Sequence, residues 1–357
     1  MKTVLAILVA TAISAVHFPE TSNAGIVIIQ TVRVGDPGNL ADTRPGSGSF
    51  GFGSVAYEFN IGTYEVTIDQ YVSFLNSAAA SDPYGLYNPG MATDAKIAGI
   101  ARSGVDGSYT YSPLAPMGSN PPGASSTGNR PIAYINWFDA ARFANWMHNG
   151  ATNGASTETG AYSLNGATNG IGFVRNPGAK WWIPSENEWY KAAYYKSGGT
   201  NAGYWLYPTQ SDVEPTNTLS SDPNHANYRS NFVYTVTQSN LVEVDQNYLT
   251  DVGVFTGSAS PYGTYDQGGN IWEWNEALST MANPGLRGGY WFFESVVMES
   301  TVRSDLYAPT EANFFTGFRL ASTAEAAVVP EPGTWAAAAL LAGAAAFVRL
   351  RGRKNRA

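Results

Sequence analysis

Ten residues, Asp266 to Asn275 (DQGGNIWEWN), hold two acids, two glycines, two asparagines and two tryptophans. Asp266 and Glu273 offer the hard oxygens that a divalent cation takes. Gly268 and Gly269 let a backbone turn tightly, and Trp272 and Trp274 can anchor such a turn in a core. A core strand would not ordinarily carry the two acids, nor a surface loop the two tryptophans. The stretch therefore reads as backbone bent around something polar and clamped by aromatic packing. The alternative is a turn whose acids only accept from backbone N–H groups.

Residue counts narrow the remaining chemistry. With no cysteine, the chain has no thiolate nucleophile or thiolate metal ligand. Of three histidines, His17 lies in an N-terminal segment expected to be removed, which leaves His148 and His225, too few for a three-histidine iron site. His148 stands near a helix end, where its positive form suits the dipole. No Gly-x-Ser-x-Gly nucleophile elbow occurs. Paired carboxylates for sugar hydrolysis stay open, because acids distant in sequence can meet in space.

Three helices can position these groups. Thr67 caps one with Tyr71, Val72, Phe74 and Leu75 on its apolar face. Asn136 starts a second, with Asp139 three residues on, a stripe of Ala140, Phe143, Ala144 and Met147, and Gly150 at its end. Ser185-x-x-Glu188 is a capping box opening a third, which explains Glu188 better than catalysis does. Strands are expected in GIVIIQTVRVG, SVAYEFNIGTYEV, FVYTVT and GLRGGYWFF. The Gly-, Ser-, Asn- and Pro-rich stretches 82–129 and 149–178 read as long loops. Aromatics at 13% and 58 glycines and prolines together imply many loops packed by rings, and no repeat of fixed period is visible.

Both ends look like processing signals. Residues 1–24 begin with Lys2, run apolar from Val4 to Val16 and reach Ser22-Asn23-Ala24, the pattern of a secretory signal peptide. Near the other end Pro330-Glu331-Pro332 precedes sixteen uncharged residues and then five basic ones. That is a marginal membrane anchor with basic residues left inside. Without both ends 14 cations and 25 acids remain, a net charge of −11. Such a surface repels nucleic acid and anionic lipid, so membrane contact is expected only through the tail.

Six blocks in order, GTYEVTIDQYVSFLN, RPIAYINWFDAARFANWM, WWIPSENEWYKAAYY, GTYDQGGNIWEW, LRGGYWFF and TGFRLAS, resemble the formylglycine-generating, sulfatase-modifying enzyme family over residues 55 to 322. The resemblance implies a single α+β domain with little regular structure, distantly similar to C-type lectins, spanning 25–323. It implies two copper-binding cysteines at positions held here by Phe293 and Met298, so that cysteine oxidation and copper are not expected, while the two remaining histidines leave no iron expected. It also implies a calcium ion held by the side chains of Asp266 and Glu273 and the carbonyls of Gly269 and Ile271. A second set falls on Asn227 (side chain), Tyr228 (carbonyl) and Asp245, with Asp251 as a rival. The tail, 324–357, resembles a PEP-CTERM sorting signal, which implies an exosortase-type protease and the envelope of a Gram-negative bacterium. The expectation is an exported, surface-associated structural or binding module, with extracellular polysaccharide as its partner. The alternative is an enzyme using carboxylates and tyrosines in the family cleft.

Overall fold

Each of the three longer helices begins where a side chain replaces a missing carbonyl partner. In the computed structural model, which describes residues 27–44, 51–118, 126–277 and 283–324, α1 (Ile68–Ala78) starts at Thr67. The Thr67 hydroxyl accepts from Gln70 N, and the Gln70 side chain accepts from Thr67 N at 2.9 Å. After the short α2 (Gly90–Thr93), α3 (Trp137–His148) starts with the same reciprocal arrangement between Asn136 and Asp139, both bonds at 3.0 Å. At α4 (Glu186–Tyr194), Ser185 N donates to Glu188 at 2.7 Å. These caps satisfy donors that the first turn leaves unpaired. The export segment and the Pro330-Glu331-Pro332 tail lie outside the described residues.

Helix α3 is buried from Trp137 to Met147. Its Phe143 stacks on Tyr71 and meets Phe74 edge-on, while Trp146 tilts against Phe74, so α1 and α3 share one aromatic layer. Phe318 closes that layer against Phe143. Arg142, buried within α3, is neutralised by Glu158 at 2.7 Å and lies over the Tyr84 ring. The 149–178 stretch is thereby tied to α3 without regular structure of its own.

The strands are short. In chain order they are β1 (Thr31–Val34), β2 (Phe59–Gly62), β3 (Ile100–Ser103), β4 (Thr110–Pro113), β5 (Trp181–Trp182), β6 (Arg229–Ser230), β7 (Val233–Tyr234), β8 (Trp272–Ala277), β9 (Pro284–Arg287), β10 (Thr316–Gly317) and β11 (Ala321–Thr323). One antiparallel sheet has the order β1-β2-β11-β5, with Ile61 paired to Val32 on one side and Ala321 on the other. A second has β8 at its centre, parallel to β10 and antiparallel to β9. The architecture is α+β, as expected.

Three expectations need correction. The 82–129 stretch is not all loop: it contains α2 and the β3–β4 hairpin, where Arg102 lies over the rings of Tyr87 and Tyr109 and compensates for its polar composition. In GLRGGYWFF the strand stops at Arg287, because Gly288 and Gly289 take φ of 99° and 75°. In FVYTVT only Val233 and Tyr234 pair.

Strand β8 carries a second acid near its end, the partly buried Glu276. Glu276 accepts from the Tyr162 hydroxyl at 2.8 Å and from Arg175 at 2.9 Å, and Arg175 also bridges to Glu188 at 3.0 Å. Burial outweighs the attraction of Arg175, and with Glu188 nearby the Glu276 carboxyl is pushed up to about 7 from its ordinary 4.5. A carboxyl raised in the folded state contributes stability that is complete below about 4.5 and lost as pH rises through about 7. Thermal scans should show wild type losing stability relative to Glu276→Gln across that window. A difference that stays flat, or that favours wild type with rising pH, contradicts the dominance of burial over the Arg175 pair.

Candidate functional site

The DQGGNIWEW stretch divides into a turn and a strand. Asp266 and Asn270 both take φ of 58°, and Gly269 takes 86°. A Cβ at Gly269 would stand 2.3 Å from the Asn227 carbonyl oxygen, so only glycine lets the two backbones pass this close. Asn270 N donates to that same carbonyl at 2.8 Å. Its buried side-chain oxygen accepts from Thr250 N and from the Asn227 amide, both at 3.1 Å. Asn270 thus pins the turn to two distant loops.

From Trp272 the chain enters β8, and Glu273 lies wholly buried in the central strand of its sheet. This overturns the expectation that a core strand would not hold the acid, and the reason is Arg319. The Arg319 Nε donates to Glu273 Oε2 at 2.6 Å and Nη2 donates to Oε1 at 2.7 Å. The Trp189 indole N–H adds a third bond, at 2.8 Å. Remaining guanidinium hydrogens go to the carbonyls of Gly62, Thr63 and Tyr265, so all five donors are used. A second buried pair backs this one: Arg287 at the end of β9 donates to Glu186 at 2.7 Å, with Arg303 on the same oxygen at 3.0 Å.

Two further carboxylates surround Arg319. Glu65 Oε2 lies 3.9 Å from the guanidinium and accepts no hydrogen bond, and Asp266 accepts from Gly253 N at 2.5 Å. Burial, then the charge of Asp266, pushes Glu65 well up, and burial pushes Asp266 up to about 6. Three acids thus face one cation. Among the described residues no three His, Cys, Asp or Glu side chains are grouped to hold a metal. The acids here surround a guanidinium rather than a shared empty point. For calcium, acceptor capacity is open at Glu65 Oε2, which has no hydrogen bond, and displacing the protons that burial favours on Glu65 and Asp266 would supply the charge. Glu273 does not fit, because its two oxygens are taken by Arg319 and Trp189.

The second expected set is less closely assembled. Asn227 is buried and donates to the Tyr248 carbonyl at 2.9 Å. The Tyr228 carbonyl accepts from the Thr235 hydroxyl at 2.8 Å. Asp245 is exposed, and what meets Asn227 from its segment is Tyr248 and Thr250. The rival acid, Asp251, faces Arg130 at 3.7 Å. His148 also differs from expectation: its Nδ1 accepts from Lys180 N at 3.0 Å, and burial with the Lys180 charge lowers its pKa, favouring the neutral ring.

The two positions expected to match the family's cysteines have opposite environments. Met298 is fully buried against Tyr207, Ala226 and Tyr228 at the end of a 3-10 turn, Ser295–Met298. Phe293 is 44% exposed. Space between them and the core is filled by rings: Trp291 lies flat on Tyr248 with centroids 4.6 Å apart, and Phe292 packs against both Trp291 and Tyr234. Nearby acids accept from local donors, Glu294 from Arg229 at 3.0 Å, Glu214 from Ser295 at 2.8 Å and Glu299 from Tyr207 at 3.1 Å.

Docked on this segment is the β6–β7 hairpin. Arg229 N donates to the Phe293 carbonyl, and Asn231 N donates to Glu294. Its two-residue turn is Asn231-Phe232, with φ of 48° and 67°. Both central residues of a hairpin turn with positive φ favour Asn followed by Gly. Phenylalanine at the second costs about 1–2 kcal/mol and is 68% exposed. Phe232 was expected to begin a strand; it is the turn itself.

Sequence reasoning missed Arg319 and Trp189 as partners of Glu273, and Glu65, Asn270 and Arg287 as buried polar groups of the same region. A signal existed: TGFRLAS and LRGGYWFF each place one arginine among apolar residues, where only a buried acid can balance it.

Residues 53–324 match the family model described as a sulfatase-modifying factor enzyme 1-like domain. No curated protein matches the chain significantly. Among solved structures, the chain is similar to one titled "Crystal Structure of CarF", at 18% identity and TM-score 0.46, covering 84% of this chain and 99% of that one. "Treponema denticola variable protein 1" is similar at 15% identity and TM-score 0.43, covering 85% and 98%. "Structure of PvdO from Pseudomonas aeruginosa" is similar at 16% and TM-score 0.41, covering 83% and 92%.

The buried pair sets a test. Glu273→Gln removes the carboxylate that takes two of the five Arg319 donors directly, and should cost about 3–5 kcal/mol in chemical denaturation. The loss should be the same in calcium and in chelator. A variant as stable as wild type in either condition contradicts the assignment of Glu273 to Arg319.

Proposed function

The chain belongs to the sulfatase-modifying factor enzyme 1-like domain family, and from that premise we propose that it is a non-oxidase member, exported to the cell surface, where it acts as a binding module for extracellular polysaccharide. The observation that carries this reading is Phe293 and Met298 at the two cysteine positions, in a chain with no cysteine at all. Phenylalanine has no donor atom and a buried thioether cannot replace two thiolates. What remains is a surface of rings with hydrogen-bonding side chains among them, suited to a ligand that is bound and released unchanged.

Export and surface attachment rest on the signal-like segment 1–24 and the PEP-CTERM-like tail 324–357, with an exosortase-type protease as the partner that processes the tail. Calcium enters the proposal through Asp266 and Glu65, with Gly269 and Ile271 as carbonyl donors. Its support is the pair of buried carboxyls beside Arg319, which burial pushes toward their protonated forms and which a divalent ion would ionise by displacing protons. When bound, the ion would balance the two carboxylates and stabilise the folded state.

Three measurements test the proposal on the full chain. Incubated with copper and a sulfatase-type cysteine peptide, it should leave the peptide mass unchanged, and aldehyde above a no-protein control would refute the non-oxidase reading. It should co-sediment with extracellular polysaccharide of the producing cells, and protein left entirely in the supernatant would refute the binding role. In thermal scans calcium should raise the Tm above its value in chelator for wild type, and Asp266→Asn should lose that increment. Equal wild-type Tm values in calcium and chelator would remove calcium from the account.

A further inference from the structure

We propose that Phe232, Arg229, Phe292 and Phe293 form the saccharide-binding platform of this protein, and that its ligand is a neutral glycan; this rests on the polysaccharide reading above. The first observation is Phe232. Its backbone is held at φ 67°, in a turn where glycine is favoured, yet the ring adds nothing to the core because it is 68% exposed. Strain without a packing return is the pattern of a side chain kept for contact with something else.

The second observation is how the hairpin presents that ring. Arg229 holds its guanidinium over Phe232 at 5.2 Å and over Phe292 at 5.3 Å, so both rings are fixed about one cation. Glu294 fixes Arg229 in turn, at 3.0 Å, and also accepts from Asn231 N in the turn. Half-exposed Phe293 continues the same surface, its carbonyl bonded to Arg229 N at 3.0 Å.

The chemistry of such a surface matches a sugar. An aromatic face takes the apolar C–H face of a pyranose ring, while a guanidinium beside a carboxylate offers donors and acceptors to hydroxyl groups. Both ring centroids lie within 5.3 Å of one guanidinium carbon, close enough to be spanned by a few linked sugars. The charge of the chain favours a neutral ligand: a protein at −8 repels a polyanion.

The experiment uses the full chain, the Phe232→Gly and Phe292→Ala variants, and immobilised neutral glycans (glucan, mannan, galactan, xylan) beside uronic-acid glycans. Wild type should bind a neutral glycan, and Phe232→Gly should weaken that binding tenfold or more while its Tm rises, because glycine relieves the turn. A gain in stability with a loss of binding is something misfolding cannot produce. If wild type binds neutral glycan and both variants bind equally well, the platform is refuted while the polysaccharide reading stands. Preference for uronic-acid glycans refutes the neutral ligand. Binding to no glycan refutes both readings. A wild-type dimer that Phe232→Gly converts to monomer, with no glycan bound, assigns the surface to a second copy and overturns the proposal.

Discussion

A single buried guanidinium organises this molecule. Arg319 joins the carbonyls of Gly62, Thr63 and Tyr265 to the carboxylate of Glu273, and Trp189 of α4 completes that carboxylate. The loop after β2, the segment before β8, β8 itself, α4 and the chain entering β11 therefore meet at one charge pair. With so few residues in regular structure, backbone ladders cannot supply this cohesion. Buried charges need multiple, well-placed hydrogen bonds to offset desolvation, and that requirement fixes where five separate pieces of chain must lie.

Around that centre the buried scaffold and the Phe293–Met298 segment are separate parts of the molecule. Glu186 and Arg287 form the next layer, tying α4 to β9, and the rings of Tyr71, Phe74, Phe143 and Trp146 form the layer below. The Phe293–Met298 segment lies outside both. Substitutions in this segment therefore need not disturb the pairs that hold the domain, which is what the proposed absence of copper–thiolate chemistry in an intact fold requires. Phe232 illustrates the same separation from the other direction: it is strained and exposed, and the core does not need it.

Much of the scaffold was legible from residues alone. The three caps announced themselves by side-chain type and spacing, because a cap is a local interaction over three residues. The ordered blocks brought the family and hence the α+β class. What could not be read locally were the long-range partners: Arg319 is 46 residues from Glu273, and Trp189 is 84. Composition suggested that Asp266 and Glu273 acted together, but the strand boundary at Trp272 splits them. Asp266 accepts from Gly253 N in the turn, whereas Glu273 takes the Arg319 guanidinium directly. The Asn231-Phe232 turn was hidden for a different reason, since a β-favouring ring in a left-handed position contradicts its own propensity.

The claim that the Arg319–Glu273 pair holds the domain together is tested most directly by a double-mutant cycle with Glu273→Gln and Arg319→Met, read by chemical denaturation. Each single change strands a buried group, whereas the double change removes both. The account predicts that the double variant is more stable than the two separate losses together would make it, with a coupling energy in the range of about 0.5–3 kcal/mol that measured contacting pairs show. Losses that add within about 0.5 kcal/mol, as they do for independent sites, would contradict it.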